Sequence, residues 1–254
     1  MSRIERTAWS AASVGVGVLI VAIWQFVAWK QFVSPIFLPG PDKAWAALIE
    51  GFKSGSLTQQ TFATVQRMSL GWILASLIGV SLGALIGSSR TARDYLGPML
   101  EFVRPLPASA IIPVGIAFFG LTKSMVLGVI AFGTIWPMLL ATIHGFASVD
   151  PRLLEVSRVL QLSRLQIIFK IMLPNAMPDI LAAMRLALTI ALILSVVGEI
   201  MAYQGGLGSH ILEASRAYHS ADLFAGVIVL GIIGLISNLA LTALEAKLLR
   251  WRHP

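Results

Sequence analysis

Hydrophobic positions dominate the chain and fall in long runs parted by short polar stretches. Six runs, residues 9–29, 65–89, 99–121, 124–146, 179–202 and 222–244, have the length of a membrane-crossing helix; about 20 apolar residues suffice for about 30 Å of hydrocarbon. Between the fourth and fifth lies the longest polar interval, Val149 to Pro178, carrying Arg152, Arg158, Arg164 and Lys170. It predicts two short helices. Asp150 is placed to cap the first, with Pro151 at its first helical position. Leu153, Val156 and Leu160 follow at i, i+3 and i+7 as one apolar stripe. Ser163 and Gln166 form a capping box for the second helix, which Pro174 is expected to end. A short amphipathic helix held between membrane spans has to dock on something.

Composition supports the span count. Of 254 residues 57% are hydrophobic and only 12% charged, which predicts a polytopic all-α membrane protein. No cysteine is present, so disulfides and thiolate metal sites are excluded. The net charge of +7 has no basic face with interleaved aromatics, which argues against nucleic acid. It follows instead the Lys/Arg bias of cytoplasmic loops. Arg3, Arg6, Arg90, Arg93, the four basic residues of the polar interval, Lys247, Arg250 and Arg252 fall on one side. Lys30, Lys43, Lys53, Arg67, Lys123 and Arg216 are assigned to the other. The richer side is expected to be cytoplasmic, with both termini and the polar interval on it. The uncharged run Thr7–Trp29 is too long for a signal-peptide core and lacks a cleavage pattern, so it is expected to be a first transmembrane helix.

Several spans carry further signals. Pro39-Gly40-Pro41 predicts a turn opening an outer amphipathic helix with Trp45, Leu48, Ile49 and Phe52 on one face, for packing or for contact with a receptor. Gly79, Gly83 and Gly87 make overlapping G-x-x-x-G pairs, which suit close helix crossing within the subunit or a dimer contact. Glu101 and Arg104 can pair at i, i+3 just before Pro105 and Pro107 break the third span. Broken backbone inside a membrane is tolerated where protein or water meets it. Pro105, Pro107 and Ser109, with Thr134 and Trp136 of the proline-interrupted fourth span, are therefore candidate pathway residues, or mark kinks set by packing. His144 is expected to be structural. Asp179 suits the first turn of the fifth span, and Arg185 can snorkel to headgroups. Glu199 is an intramembrane acid, hence a further pathway candidate, or a group linked to the glycine turn at Tyr203–Gly208. His210 and His219 make no metal pattern.

The polar interval resembles the cytoplasmic EAA loop of bacterial binding-protein-dependent ABC importer permeases: E-A-A, three residues, G, nine residues, I-x-L-P. Here it reads Glu155-Val156-Ser157, then Gln161, then Ile171-Met172-Leu173-Pro174. Gln161 stands where the pattern has glycine, which implies a turn built differently or a longer first helix. Ser34–Pro41, Arg104–Pro107, Phe119-Gly120, Leu173–Pro178, Met184–Ala187, Val197–Glu199 and Gly206–Gly208 are similar, in order and spacing, to the nitrate/sulfonate/taurine branch. The resemblance implies a type I permease fold over residues 57–242, after an N-terminal span and outer helix in 1–56 and before a basic tail at 243–254. It implies two ABC ATPase chains gripping Arg152, Leu153, Glu155, Val156, Arg158, Val159, Leu160, Gln161 and Ser163. It also implies a second permease copy, an extracytoplasmic binding protein, and a place in the bacterial inner membrane.

No P-loop pattern occurs, so ATP and magnesium are expected to be used by the partner ATPase, with no cofactor or metal on this chain. An ion-coupled carrier working alone would want paired ionisable groups at mid-bilayer and inverted repeats, neither of which is evident. An intramembrane enzyme would want a convergent catalytic set, and none is found. The expected function is a non-enzymatic permease subunit for a small anion.

Overall fold

The computed structural model describes residues 3–252. The side chains of residues 3–11, 13, 14 and 252 lie outside the described residues, so the placement of Arg3, Arg6 and Arg252 in the charge count does too. Every regular element among the described residues is helical. Four helices are long and apolar enough to cross a membrane: α3 (Ser56–Gly87), α6 (Lys123–Ala147), α9 (Leu173–Ala202, continuous with an upstream stretch from Arg164) and α11 (Ser220–Leu248). The apolar stretch Gly15–Trp29 closes α1 (Arg3–Trp29). The expected third span is not one rod. It is α4 (Arg90–Val103), then a 3₁₀ turn at Ala108–Ile111 leading into α5 (Ile112–Phe119), the two arms bent by 81°. Pro105 and Pro107 account for the break, because neither can donate to a helical ladder.

The chain divides into two units, residues 1–61 with 210–230, and residues 62–209 with 231–254. In the first, α2 (Pro41–Lys53) starts at the expected proline, and the Trp24 indole N–H donates to Pro39 O at 2.9 Å. The α2 face that packs is shifted from the expected stripe. Ala44 and Leu48 are buried, whereas Trp45, Ile49 and Phe52 are exposed, leaving an apolar face for lipid or a neighbour. Trp24 stacks on Phe224 with centroids 5.3 Å apart.

In the second unit α6 is the central helix, with eleven buried residues between Met125 and Phe146. The glycine stripe of α3 lies against it. A Cβ added to Gly83 would meet Thr142 Cβ at 2.6 Å and Leu139 O at 2.8 Å, and one at Gly87 would meet Phe146 Cβ at 2.7 Å. The stripe is thus consumed by a crossing inside the subunit, and the dimer alternative for it falls away. On its other side α6 meets α9 just as closely: a Cβ on Gly145 would lie 2.5 Å from Ala176 Cβ. With little hydrophobic drive between helices in lipid, such backbone approach supplies the dispersion contact that holds them.

Candidate functional site

The polar interval folds largely as its caps dictate. Asp150 accepts from the Arg152 N–H at 2.9 Å and opens α7 (Pro151–Val159), with Pro151 at its start. Ser163 and Gln166 exchange both capping-box bonds, at 3.3 and 2.8 Å, and open α8 (Arg164–Ile167). Pro174 does not end that helix. A π turn over Ile168–Met172, with Leu173 N–H bonded to Ile168 O, carries the chain directly into α9. The widened turn accommodates a residue that has no N–H and whose ring crowds the carbonyl four positions back. Asp179 is therefore well inside α9, not in its first turn.

Gln161 keeps the conformation a glycine would take. Its φ is +51°, the Leu162 N–H bonds Ser157 O at 3.0 Å, and the Gln161 N–H bonds Arg158 O at 3.0 Å. This is a Schellman ending with a left-handed glutamine. Holding a side chain there costs about 1 kcal/mol, so Gln161→Gly is expected to strengthen the turn. Amide exchange at Leu162 should slow about fivefold, the equivalent of that energy. Faster exchange in the variant would mean that the glutamine side chain makes a stabilising contact.

The two faces of α7 differ. Ser157 is buried, its hydroxyl on Leu154 O at 2.7 Å, and Leu154 is half-buried. The expected stripe, Leu153, Val156 and Leu160, is turned outward together with Val159, which is 83% exposed. Arg152 and Glu155 are exposed, and Glu155 forms no ion pair among the described residues. Arg158 instead borders a pocket behind the helix. Asn175 ties the segment to the end of α6 through Gly145 O at 2.9 Å and Ser148 Oγ at 3.2 Å.

A cleft of 640 Å³ opens beside α6 and α9. Gly133, Trp136, Pro137, Leu140, Ala141 and His144 line one wall at helical spacing, and Asp179, Ala182, Ala183 and Leu186 another. The broken third span adds Arg104, Leu106 and Ala108. Of the six sequence-derived pathway candidates, only Trp136 lines this cleft, and its indole N–H is buried without a partner among the described residues. Pro105, Pro107 and Ser109 are exposed, but the residues between them and beside them face the cavity. Thr134 is off the lining stripe by one position; it is fully buried and bonds Ile130 O at 2.6 Å. Arg104, His144 and Asp179 supply the ionisable groups. Arg104 stays within 3.7 Å of Glu101, as the i, i+3 spacing predicts.

Glu199 does not reach the cleft. It is fully buried, and four donors surround its carboxylate: the Arg67 guanidinium, Thr64 Oγ1 at 3.0 Å, Ser195 Oγ at 3.2 Å and the Gly208 N–H at 2.9 Å. Those fill the acceptor sites a carboxylate offers. Arg67 also donates to Gly205 O, so the pair fastens the glycine turn, of the two expectations the one in which Glu199 links to that turn. Gly206 sits against the carboxylate with no room for a Cβ. Arg67, counted above with the outer loops, is a buried residue of α3. Arg185 likewise does not snorkel: it pairs with Glu245 of α11.

A helical subunit rich in membrane-length spans, with an outward-turned apolar helix between two of them and a largely apolar cleft carrying a few ionisable groups, has the features of a transport permease. Residues 75–251 match the family described as binding-protein-dependent transport system inner membrane component, and the chain belongs to that family. It lies in the nitrate, sulfonate and taurine branch of type I ABC importer permeases. It is 35% identical over 235 residues to a putative aliphatic sulfonates transport permease protein of Bacillus subtilis (strain 168), covering 92% of this chain and 85% of that one. It is 30% identical over 244 residues to a taurine transport system permease protein of Escherichia coli (strain K12), with 94% and 89% covered. The fold matches an inward-facing structure of the MetNI methionine ABC transporter with a TM-score of 0.64 at 20% identity, over 75% of this chain and 95% of that one. The protein is thus a permease subunit of an ABC importer in the inner membrane, not an enzyme. Its family works with an ATPase and a binding protein. A carrier working alone is not favoured.

Proposed function

We propose that this chain forms the membrane pathway for a small anion of the nitrate, sulfonate or taurine kind, and that α7 is the point at which an ATPase moves it. The observation that carries the proposal is the outward apolar face of α7, flanked by Glu155, which forms no ion pair among the described residues. Burying such a face against a partner is favourable, and leaving it in water is not. Residues 57–242 are the transport domain, with an added span and outer helix before it and a basic tail after it. Two permease copies and two ATPase chains assemble, the latter binding ATP and magnesium and contacting Arg152, Leu153, Glu155, Val156, Val159, Leu160, Gln161 and Ser163, whereas Arg158, expected in that set, borders the pocket behind α7. Both termini face the cytoplasm, and the binding protein delivers solute on the opposite side. The cleft, with Arg104, His144 and Asp179 as its ionisable groups, is this subunit's part of the pathway. A guanidinium suits the oxygens of such anions. ATP drives the cycle only because the ATPase pair binds it better in one conformation than in the other.

Charge reversal at the helix tests this. In Glu155→Arg the ATPase is expected to bind about thirtyfold more weakly, the equivalent of about 2 kcal/mol at a contacted charge, while membrane insertion is kept. Wild-type affinity in pull-down titrations of that variant would remove Glu155 from the contact.

A further inference from the structure

Behind α7 lies a second pocket, of 410 Å³. Arg158 comes to it from α7, Arg164 from the start of α8, and Ser89 from the turn between α3 and α4. Leu154, Ile168 and Met172 give it an apolar wall. No carboxylate lines it, and neither arginine forms an ion pair among the described residues. Two arginines lining one pocket with no acid in its lining make it an uncompensated positive site. Ser89 sharpens it. Its Oγ accepts the Ala92 N–H at 3.3 Å, which leaves the hydroxyl proton to donate. It also caps the positive end of the 14-residue α4.

The pocket's level in the fold indicates what fills it. One membrane span, α3, ends at Gly87, just before Ser89. The upstream part of α9 meets the end of α6 three residues beyond Met172, where Asn175 donates to Gly145 O at 2.9 Å. The pocket therefore lies beside the ends of α3 and α6 on the α7 side, where a lipid headgroup can reach it. A soluble oxyanion would need only the arginines and the hydroxyl. A phospholipid would also use the apolar wall, for its glycerol and upper acyl carbons.

We propose that this pocket binds the phosphate headgroup of an anionic phospholipid from the leaflet on the α7 side, with Arg158 and Arg164 as its cationic ligands. Basic pockets between membrane helices are suited to such headgroups. The bound lipid bridges the α3–α4 turn to the back of α7, so it steadies the helix whose front face meets the ATPase.

The test uses the assembled permease–ATPase complex in nanodiscs of phosphatidylcholine doped with phosphatidylglycerol. Retained lipid is counted by native mass spectrometry. Arg158→Gln and Arg164→Gln are each expected to weaken phosphatidylglycerol retention about fivefold, the worth of one basic residue near an anionic surface, and the double variant by the product. Lys247→Gln, an equal change of charge outside the pocket, should leave retention as it is. Ser89→Asp keeps a good helix cap while placing a carboxylate in the pocket, so it should expel the lipid even if the arginine variants fail to assemble. Wild-type retention in Ser89→Asp or in the double variant would overturn the assignment. So would displacement of the lipid by inorganic phosphate, which would make a soluble anion the occupant, or equal retention of phosphatidylcholine.

Discussion

Glu199→Ala is expected to cost about 3–5 kcal/mol, the loss typical of breaking a buried ion pair from one side. In thermal unfolding of the detergent-solubilised chain this is a drop of about 10 °C, at 2–4 °C per kcal/mol for a chain of this size. The alanine strands three kinds of group at once: a buried guanidinium, the Thr64 and Ser195 hydroxyls, and the Gly208 N–H. Glu199→Gln should fall between wild type and alanine, because its oxygen can still accept while the charge pairing is gone. Arg67→Met/Glu199→Met separates two explanations. If the ion pair were the whole of the effect, a well-packed apolar replacement would restore stability. Here the Gly208 N–H and Thr64 hydroxyl would still lack an acceptor, so the double variant should recover only in part. Full recovery would show that the polar cradle around the turn contributes nothing beyond the pair. Wild-type stability in Glu199→Ala would show that the carboxylate is not buried as described.

The contrast between α7 and the Glu199 cluster shows what a single sequence can reveal. Asp150 with Arg152, and Ser163 with Gln166, each act within three positions, and each cap forms where the pattern predicts it. The apolar runs likewise mark α3, α6, α9 and α11, because a span needs only its own composition. Partnership across the fold is not local. Arg67 and Glu199 are 132 positions apart, and counting Arg67 as a loop cation hid a buried acid–base pair. The expense of two opposite charges within apolar runs was the available signal. Gly83 and Gly87 announced close approach but not to what; only the placement of Thr142 and Phe146 shows that α6 takes that face. The third span shows a different limit. Pro105 and Pro107 predicted a break, but not that residues 90–103 form a separate arm at 81° to the next. Gln161 is a case of local pattern overruled: the left-handed turn persists although the residue resists it, since Leu162 and Gln161 donors both need the α7 carbonyls.

Filling the cleft is expected to stop transport without dissolving the complex. Ala182 is exposed on the cleft wall, so Ala182→Trp can be accommodated without displacing a buried neighbour. The added indole projects into the 640 Å³ space between α6, α9 and the broken third span. A solute using that space would have to push the ring aside, at about 1–3 kcal/mol for an overpacked contact. Uptake into proteoliposomes with the binding protein and ATP should then fall about five- to hundredfold, since 1.4 kcal/mol on a barrier is tenfold in rate. Ala182→Ser, which barely changes volume, should transport near the wild-type rate. Co-elution of permease and ATPase on size exclusion distinguishes a plugged pathway from a failed assembly. An intact complex carrying Ala182→Trp that still transports at the wild-type rate would mean that solute passes elsewhere, and that Arg104 and Trp136 border a structural void. Loss in both the tryptophan and serine variants would instead make Ala182 a packing residue, because a hydroxyl cannot obstruct a cavity of that volume.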